Sequence, residues 1–443
     1  MTSKTHGEIA TFPQTSGSHR GFLFSLWCIV AAFGTYFCMY GFRKPYTVAE
    51  FSDLAWLGIG YKTLLVTSQV LGYTLSKFIG IKFIAEAKPV KRALWILILI
   101  GLAQLALLGF AVVPAPWNIS MLFLNGLPLG MVFGLVLGFL EGRILTEFLI
   151  AGLCASFILA DGVVKSVGAV FLDKGVSEFW MPFCSGLVFL APLIGFVWML
   201  NRIPTPNQHD KNARTERAPM NREERSYFFK KYAPGLVLLL LGYLAITILR
   251  SIRADFAPEI WKGLGVETTP ALFSQTEFYV AILIILSSGA FVLIKNNPKA
   301  FFTAILFSMG GCVLVGFSIS GLQSQTLSPI WFMTLIGLGL YIPYVAVHTT
   351  IFERMLAVTK ERGNIGYLMY LADATGYLGY CVVMLYKNLA PKDMDFIQFF
   401  SVTSWIVAIF AGCCFAFAGW FFTLKHKINS PGILPDKGEE AKA

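Results

Sequence analysis

The chain alternates long apolar runs with short polar segments. An α-helix needs about 20 apolar residues to cross the hydrocarbon core of a bilayer. Twelve runs of this length lie at approximately residues 21–42, 60–83, 91–113, 116–140, 147–171, 179–200, 232–252, 273–294, 299–319, 328–352, 363–387 and 397–424. The pattern predicts an all-α membrane protein with twelve transmembrane helices.

One long polar segment interrupts this pattern, at residues 201–231, and it has no apolar stripe. It divides the predicted helices into six and six. We therefore predict an N-terminal six-helix bundle (1–200), a cytoplasmic linker (201–231), a C-terminal six-helix bundle (232–427) and a cytoplasmic tail (428–443).

The two halves share features at equivalent positions. Arg43 closes the first run and Arg250 closes the seventh, 207 residues later. The fifth run contains Leu-Ala-Asp-Gly at 159–162 and the eleventh contains Leu-Ala-Asp-Ala at 371–374, an offset of 212 residues. Runs one and seven, or five and eleven, would superimpose in a parallel repeat, so the sequence predicts a duplicated bundle.

Composition agrees with this architecture, since 56% of the residues are hydrophobic and only 14% are charged. The net charge of +10 comes largely from short segments between the apolar runs, which argues against nucleic-acid binding. With both termini in the cytoplasm, 24 of the 35 lysines and arginines lie on the inner side and 8 on the outer side. The positive-inside rule therefore predicts cytoplasmic termini, and we expect a cell or bacterial inner membrane.

Eight cysteines lie in the apolar runs without metal or redox spacing. We therefore expect no metal and no cofactor. The sequence also has no Ser-His-Asp arrangement or phosphate-binding loop, so an enzyme is not indicated.

Ionisable side chains inside a membrane are costly and usually face a cavity or a partner. Here they share helix faces with tyrosines, and we take both as the candidate site. The candidate substrate-binding residues are Arg43, Arg250, Lys77, Tyr36, Tyr40, Tyr344, His348 and Tyr377. Cations from three helices predict a positively charged cavity, and the planar fork of arginine suits phosphate or carboxylate.

Asp161 and Lys165 are one helical turn apart in the fifth run, and Asp373 lies in the eleventh. We interpret these three as proton-coupling residues or as members of ion pairs. Asp161 and Lys165 could instead neutralise each other as a structural pair. Lys44 and Arg253 could extend to the outer membrane interface, and we expect Lys44 to anchor the first helix there.

Three stretches carry a family resemblance. They are TYFCMYGFRKPYTVAEF with the later YTLSKFIG, YLAITILRSIRADFAPEIW, and GNIGYLMYLADATGYLGY. They resemble the organophosphate:phosphate antiporter family of the major facilitator superfamily. The resemblance implies a monomer of two bundles with alternating access, in which Arg43 and Arg250 clamp phosphate and Lys77 is the lysine of the second helix.

Two features depart from that family. Asp161 stands where a substrate-contacting histidine is expected. The loop after the second helix, at residues 80–92, lacks the Gly-x-x-x-Asp-Arg signature. The chain therefore resembles a divergent relative.

The function that we predict is secondary active transport of a small organic anion, phosphorylated or carboxylated. The expected partners are this anion and the lipid bilayer. Two alternatives remain open: a proton-coupled transporter of a neutral or amphiphilic solute, and a membrane receptor that binds an organophosphate without transporting it.

Overall fold

The computed structural model describes residues 18–52, 54–86, 91–140, 146–204, 222–359, 365–389 and 395–429. Within these residues, twelve long helices follow the predicted runs, and we number them span 1 to span 12. In chain order they are Ser18–Tyr40, Tyr61–Glu86, Arg92–Val112, Ile119–Leu140, Thr146–Asp173, Met181–Asn201, Arg222–Asp255, Pro270–Val292, Asn297–Gln323, Pro329–Thr359, Ile365–Leu389 and Phe396–Asn429.

Span 10 is irregular in its second half. It is α-helical over Pro329–Ala346, forms a π-helical turn over Val347–Ile351 and returns to α-helix over Phe352–Thr359. Such turns are frequent at functional sites. This one contains the candidate residue His348.

Short elements connect the spans at the ends predicted to face outward. A 3₁₀ helix, Pro45–Val48, follows span 1, and a small antiparallel hairpin pairs Ala55–Trp56 with Ile59–Gly60. A short helix, Ala257–Gly263, follows span 7.

Eleven of the described helices are long and apolar enough to cross a membrane. Span 2, which carries Lys62, Gln69 and Lys77 as well as apolar residues, is not among these eleven. A helix of 26 residues nevertheless has the length to cross the bilayer. The chain is a multi-pass membrane protein, and the predicted fold class is confirmed.

The packing of the spans repeats with an offset of six. In the first half, span 1 packs on spans 5 and 6, span 2 on span 4, and span 3 on spans 4 and 6. In the second half, span 7 packs on spans 11 and 12, span 8 on span 10, and span 9 on spans 10 and 12. The halves meet where span 5 contacts span 8 and where span 2 contacts span 11. These two contacts exchange under the same offset, as a parallel repeat requires.

Span 7 begins at Arg222, so its first turns occupy residues predicted as linker. Residues 222–231 contain no glycine or proline, and they continue the helix beyond its apolar part. Residues 205–221 of the predicted linker and 430–443 of the predicted tail lie outside the described residues.

Candidate functional site

Arg43 lies in an irregular turn just after span 1. The helix ends at Tyr40, whose carbonyl oxygen accepts hydrogen bonds from the backbone N–H groups of Arg43 and Lys44, each at 2.9 Å. Carbonyl groups at such a helix end need new partners, because a membrane interior offers little water. Gln69 supplies one, since its Nε2 donates to the Arg43 carbonyl oxygen at 2.9 Å.

The amide side chain of Asn125 on span 4 also stabilises this turn. Asn125 Oδ1 accepts from Gln69 Nε2 at 2.7 Å, and Asn125 Nδ2 donates to the carbonyl oxygen of Phe42 at 3.0 Å. Spans 2 and 4 therefore fix the backbone on which Arg43 is mounted.

The Arg43 side chain is 3% exposed and is surrounded by aromatic rings. Its Cζ lies 3.9 Å from the ring centroid of Tyr73 and 5.7 Å from the centroids of Tyr40 and Tyr377. Ring faces attract a cation but leave its hydrogen-bond donors available for a ligand.

Arg250 has a matching environment in the second half. It is 7% exposed, and its Cζ lies 4.3 Å from the ring centroid of Tyr344 and 5.8 Å from that of Tyr341. Its Nη2 makes a 3.4 Å hydrogen bond to the Ser251 hydroxyl. The repeat thus presents one buried arginine on tyrosines from each half.

Neither arginine is neutralised by a carboxylate of the described residues. Within the described part of the chain, no carboxylate lies within ion-pair distance of Arg43 or Arg250, and the Nε of each has no hydrogen-bond partner. Buried donors are normally paired. The unpartnered Nε atoms of the two buried guanidinium groups therefore point to a missing acceptor.

The other buried cations near the centre each have a carboxylate. The four pairs are Lys44 with Asp255, Lys77 with Asp373, Lys165 with Asp161, and Arg253 with Glu277. These pairs cancel in charge. The positive charge of the described centre therefore comes from the two arginines.

Both arginines line one small cavity, which we call the arginine cavity. Asp161 and Ser251 also line it. The remaining lining residues are Tyr40, Lys44, Val70, Asp255, Tyr341, Tyr377 and Tyr380. Phosphate or carboxylate oxygens bound in this cavity would receive hydrogen bonds from both halves of the protein.

A second small cavity adjoins the first. It shares Tyr40 and Tyr377 with the lining of the arginine cavity. The other residues around it are Tyr36, Tyr73, Lys77, Phe133, Phe157, Tyr344, His348 and Asp373. Every predicted site residue except Lys165 thus lines one of the two cavities.

Asp373 lines the second cavity and has three polar side chains as partners. Lys77 Nζ lies 3.0 Å from its Oδ2, Tyr243 donates its hydroxyl to Oδ1 at 2.6 Å, and His348 Nε2 lies 3.3 Å from Oδ1. Lys77 therefore has a carboxylate partner in Asp373, and it does not join the arginines as a free cation.

Lys44 and Arg253 depart from their expected place at the membrane interface. Lys44 is buried and forms an ion pair with Asp255, so the expectation that it extends to the outer membrane interface and anchors the first helix there was wrong. Burial lowers the pKa of the Lys44 ammonium, and Asp255 opposes this shift. Arg253 is also buried, 2.8 Å from Glu277, and its Nη2 donates to the Met333 carbonyl oxygen at 2.9 Å.

Several residues of the charge network are absent from the sequence prediction. Asp255 lies just beyond the predicted end of its run, where a carboxylate is ordinary. Tyr243 falls outside the tyrosine stripes that share a face with a charge. Glu277 could have been predicted as a member of this network, because it is an acidic residue within the predicted run 273–294.

Ion pairs join the two halves at the ends of spans 1 and 7. Besides Lys44 with Asp255, Lys62 Nζ lies 2.6 Å from Glu259 Oε1, and the more exposed Lys262 lies 3.1 Å from Glu50. The halves are therefore in contact on the side predicted to face outward.

Comparison with known proteins gives a family and a fold. The family described as "Family of unknown function (DUF5690)" matches residues 45–425, which is most of the chain. The chain belongs to the DUF5690 family. The matched residues include Arg250, Asp161 and Asp373, whereas Arg43 and Lys44 immediately precede them. No curated protein matches the chain.

A crystal structure of a D-xylose-proton symporter is similar to this DUF5690 protein. The TM-score is 0.60 at 12% sequence identity, and the match covers 90% of this chain and 96% of the symporter chain. The similarity shows the fold of the major facilitator superfamily. The finer resemblance to organophosphate:phosphate antiporters stays a prediction.

Proposed function

We propose that this protein is a secondary active transporter that moves a small organic anion by alternating access, with Arg43 and Arg250 as the anion clamp. One observation carries the proposal. The two buried arginines without a carboxylate partner in the described structure line the same cavity, one from each half.

Electrostatics sets the ligand class. Two guanidinium groups in a buried site are weakly screened, and each offers two parallel N–H donors to a phosphate or carboxylate. An anion would compensate both charges and satisfy donors that now lack partners. A neutral ligand would leave the charges uncompensated.

The position of the clamp supports alternating access. Each bundle contributes one arginine, so a bound anion draws the bundles together around it. On the predicted outer side, the bundles are held together by the Lys44–Asp255 and Lys62–Glu259 ion pairs. Opening toward that side would require these pairs to separate.

Flux into proteoliposomes tests transport directly. We would measure uptake of radiolabelled phosphate and succinate by wild-type protein, Arg43→Ala, Arg250→Ala and the matched control Arg202→Ala. Arg202 is an exposed arginine at the end of span 6, stacked on Trp198. We expect uptake of at least one anion by the wild type and the control and a loss of more than tenfold in the clamp variants. Binding without uptake would favour the receptor alternative, and equal uptake by all variants would refute the clamp.

A second candidate function is proton-coupled transport of a neutral or amphiphilic solute. The tyrosines of the arginine cavity favour it, since they could bind such a solute through ring faces and hydroxyl groups. The similar structure is, by its title, a D-xylose-proton symporter. Uptake of labelled xylose that depends on a proton gradient and survives Arg43→Ala would support this candidate over the first.

A further inference from the structure

Asp161 lines the arginine cavity and has an unpaired carboxylate oxygen in the described structure. The residue is 2% exposed and lines the cavity beside the two arginines. Its Oδ2 accepts a hydrogen bond from Lys165 Nζ, whereas its Oδ1 has no hydrogen-bond partner in the described structure. A buried acceptor without a partner costs stability, so this oxygen requires an explanation.

A second carboxylate in the same cavity shows the contrast. Asp255 also lines the cavity, but Lys44 bonds its Oδ1 and the Tyr380 hydroxyl donates to its Oδ2 at 3.0 Å. Both Asp255 oxygens are therefore occupied by protein groups. Asp161 alone of the two has an oxygen left for a ligand.

We propose that Asp161 Oδ1 accepts a hydrogen bond from a hydroxyl group of the transported anion, and that the cavity therefore selects anions that carry a hydroxyl. The inference rests on the proposed function, and it makes Asp161 a specificity-determining residue. The cavity then holds two cationic donors for the charged end of the ligand and one acceptor for its hydroxyl.

The surroundings favour a hydroxyl over an ammonium group as the donor. Lys165 already places an ammonium on the other oxygen of the same carboxylate and also bonds the Ala254 carbonyl oxygen across the interface between the halves. With Arg43, Lys44 and Arg250 in the same lining, a ligand ammonium would meet four neighbouring cations. A neutral donor avoids this repulsion.

Two ligand series test the proposal by isothermal titration calorimetry on the purified full-length protein. One series is ethyl phosphate, 2-hydroxyethyl phosphate and 2-aminoethyl phosphate. The other is succinate, malate and aspartate. Within each series one substituent changes from hydrogen to hydroxyl to ammonium. In the series whose charged group fits the clamp, we expect the hydroxyl compound to bind about tenfold more tightly than the unsubstituted one, as for a hydrogen bond to a charged acceptor.

Two variants assign the preference to Asp161. Asp161→Ala combined with Lys165→Met removes the pair without changing the net charge of the cavity. We expect the ratio between the affinities for the hydroxyl and the unsubstituted compound to fall from about tenfold to about one in this variant. Asp161→Asn is the conservative variant if the double variant does not fold, and its preference should fall at least threefold because the acceptor loses its charge.

Each other outcome overturns the proposal. Equal binding of the unsubstituted and hydroxyl compounds by the wild type, a preference for the ammonium compound, or a tenfold preference that persists in the variants would refute the role of Asp161 and leave the clamp intact. If no compound of either series binds the wild type, both the role of Asp161 and the proposed function fail.

Discussion

Lys77 on span 2 and Asp373 on span 11 form a buried ion pair, with Nζ 3.0 Å from Oδ2, that joins the two halves. Asp373 also has Tyr243 and His348 as partners. The Lys77 ammonium lies close to the rings of Tyr73 and Tyr370, and its carboxylate partner is Asp373. Loss of Lys77 would therefore leave Asp373 with two polar partners, whereas loss of Asp373 would leave Lys77 without its carboxylate.

This difference predicts that replacing Asp373 destabilises the protein more than replacing Lys77. Asp373→Asn leaves a buried ammonium without a carboxylate and should lower the free energy of unfolding by about 3–5 kcal/mol. Lys77→Met leaves Asp373 with two other partners and should cost less, about 1–3 kcal/mol. Thermal unfolding of the purified variants measures the difference, and the reverse order would contradict this role of Asp373.

The Lys44–Asp255 pair predicts a different pattern. Burial lowers the pKa of Lys44, and a buried ion pair repays little more than the cost of removing both charges from water. Replacing both partners by apolar residues should therefore change stability little. We expect Lys44→Met and Asp255→Leu each to cost about 3–5 kcal/mol, and the double variant to lie near wild type.

An exposed pair serves as the control for this double-mutant cycle. Lys262 and Glu50 are 73% and 36% exposed in their side chains, and Lys262→Ala should cost less than about 1 kcal/mol. Additive losses in the Lys44–Asp255 double variant would show that the two residues do not act as a pair.

Gln69 should affect anion binding without touching the anion. Gln69→Leu removes the donor to the Arg43 carbonyl oxygen and leaves that carbonyl unsatisfied, at a cost of about 1–3 kcal/mol. We expect the loosened turn to weaken binding of the best anion about five- to tenfold. Thr74→Val is the matched control, since it removes a buried hydrogen bond to Val70 within the same span. Titration calorimetry compares the two, and equal affinities would exclude a positioning role for Gln69.

Gly162 allows spans 5 and 8 to approach closely across the interface between the halves. A Cβ at this position would lie 2.4 Å from the Phe273 carbonyl oxygen. Gly162→Ala should therefore push the halves apart and lower the free energy of unfolding by about 1–3 kcal/mol.

The matched control for this glycine is Gly101→Ala in span 3, where an added Cβ meets no atom within 4 Å. It should leave stability unchanged or raise it by up to about 1 kcal/mol, since alanine favours helix. Melting temperatures of both variants measure the contrast. Equal effects would show that the contact between Gly162 and Phe273 carries no special constraint.

The helices were predictable because each needs a long apolar run, and this signal is local. Span 1 was predicted at 21–42 and ends at Tyr40 in the structure. The parallel repeat could also be predicted, from Arg43 and Arg250 at equivalent positions in the two halves. The packing of the spans repeats with the same offset of six spans.

The pairing of charges was less predictable. Asp161 and Lys165 share one helix face, so their contact can be read from their spacing. The partner of Lys44 is Asp255, 211 residues later and in the other half. No periodicity in the sequence links two such residues, and only the packing of the halves brings them together. The wrong placement of Lys44 at the interface follows from this.

A thermal-shift screen tests the central claim most directly. Purified wild type, Arg43→Ala, Arg250→Ala and the control Arg202→Ala would be melted with phosphate, ethyl phosphate, succinate and the neutral sugar xylose. A ligand that binds only the folded state raises the melting temperature. We predict that at least one anion raises it for the wild type and the control and for neither clamp variant. Stabilisation by xylose alone, or equal stabilisation of all four proteins by an anion, would contradict the two-arginine clamp.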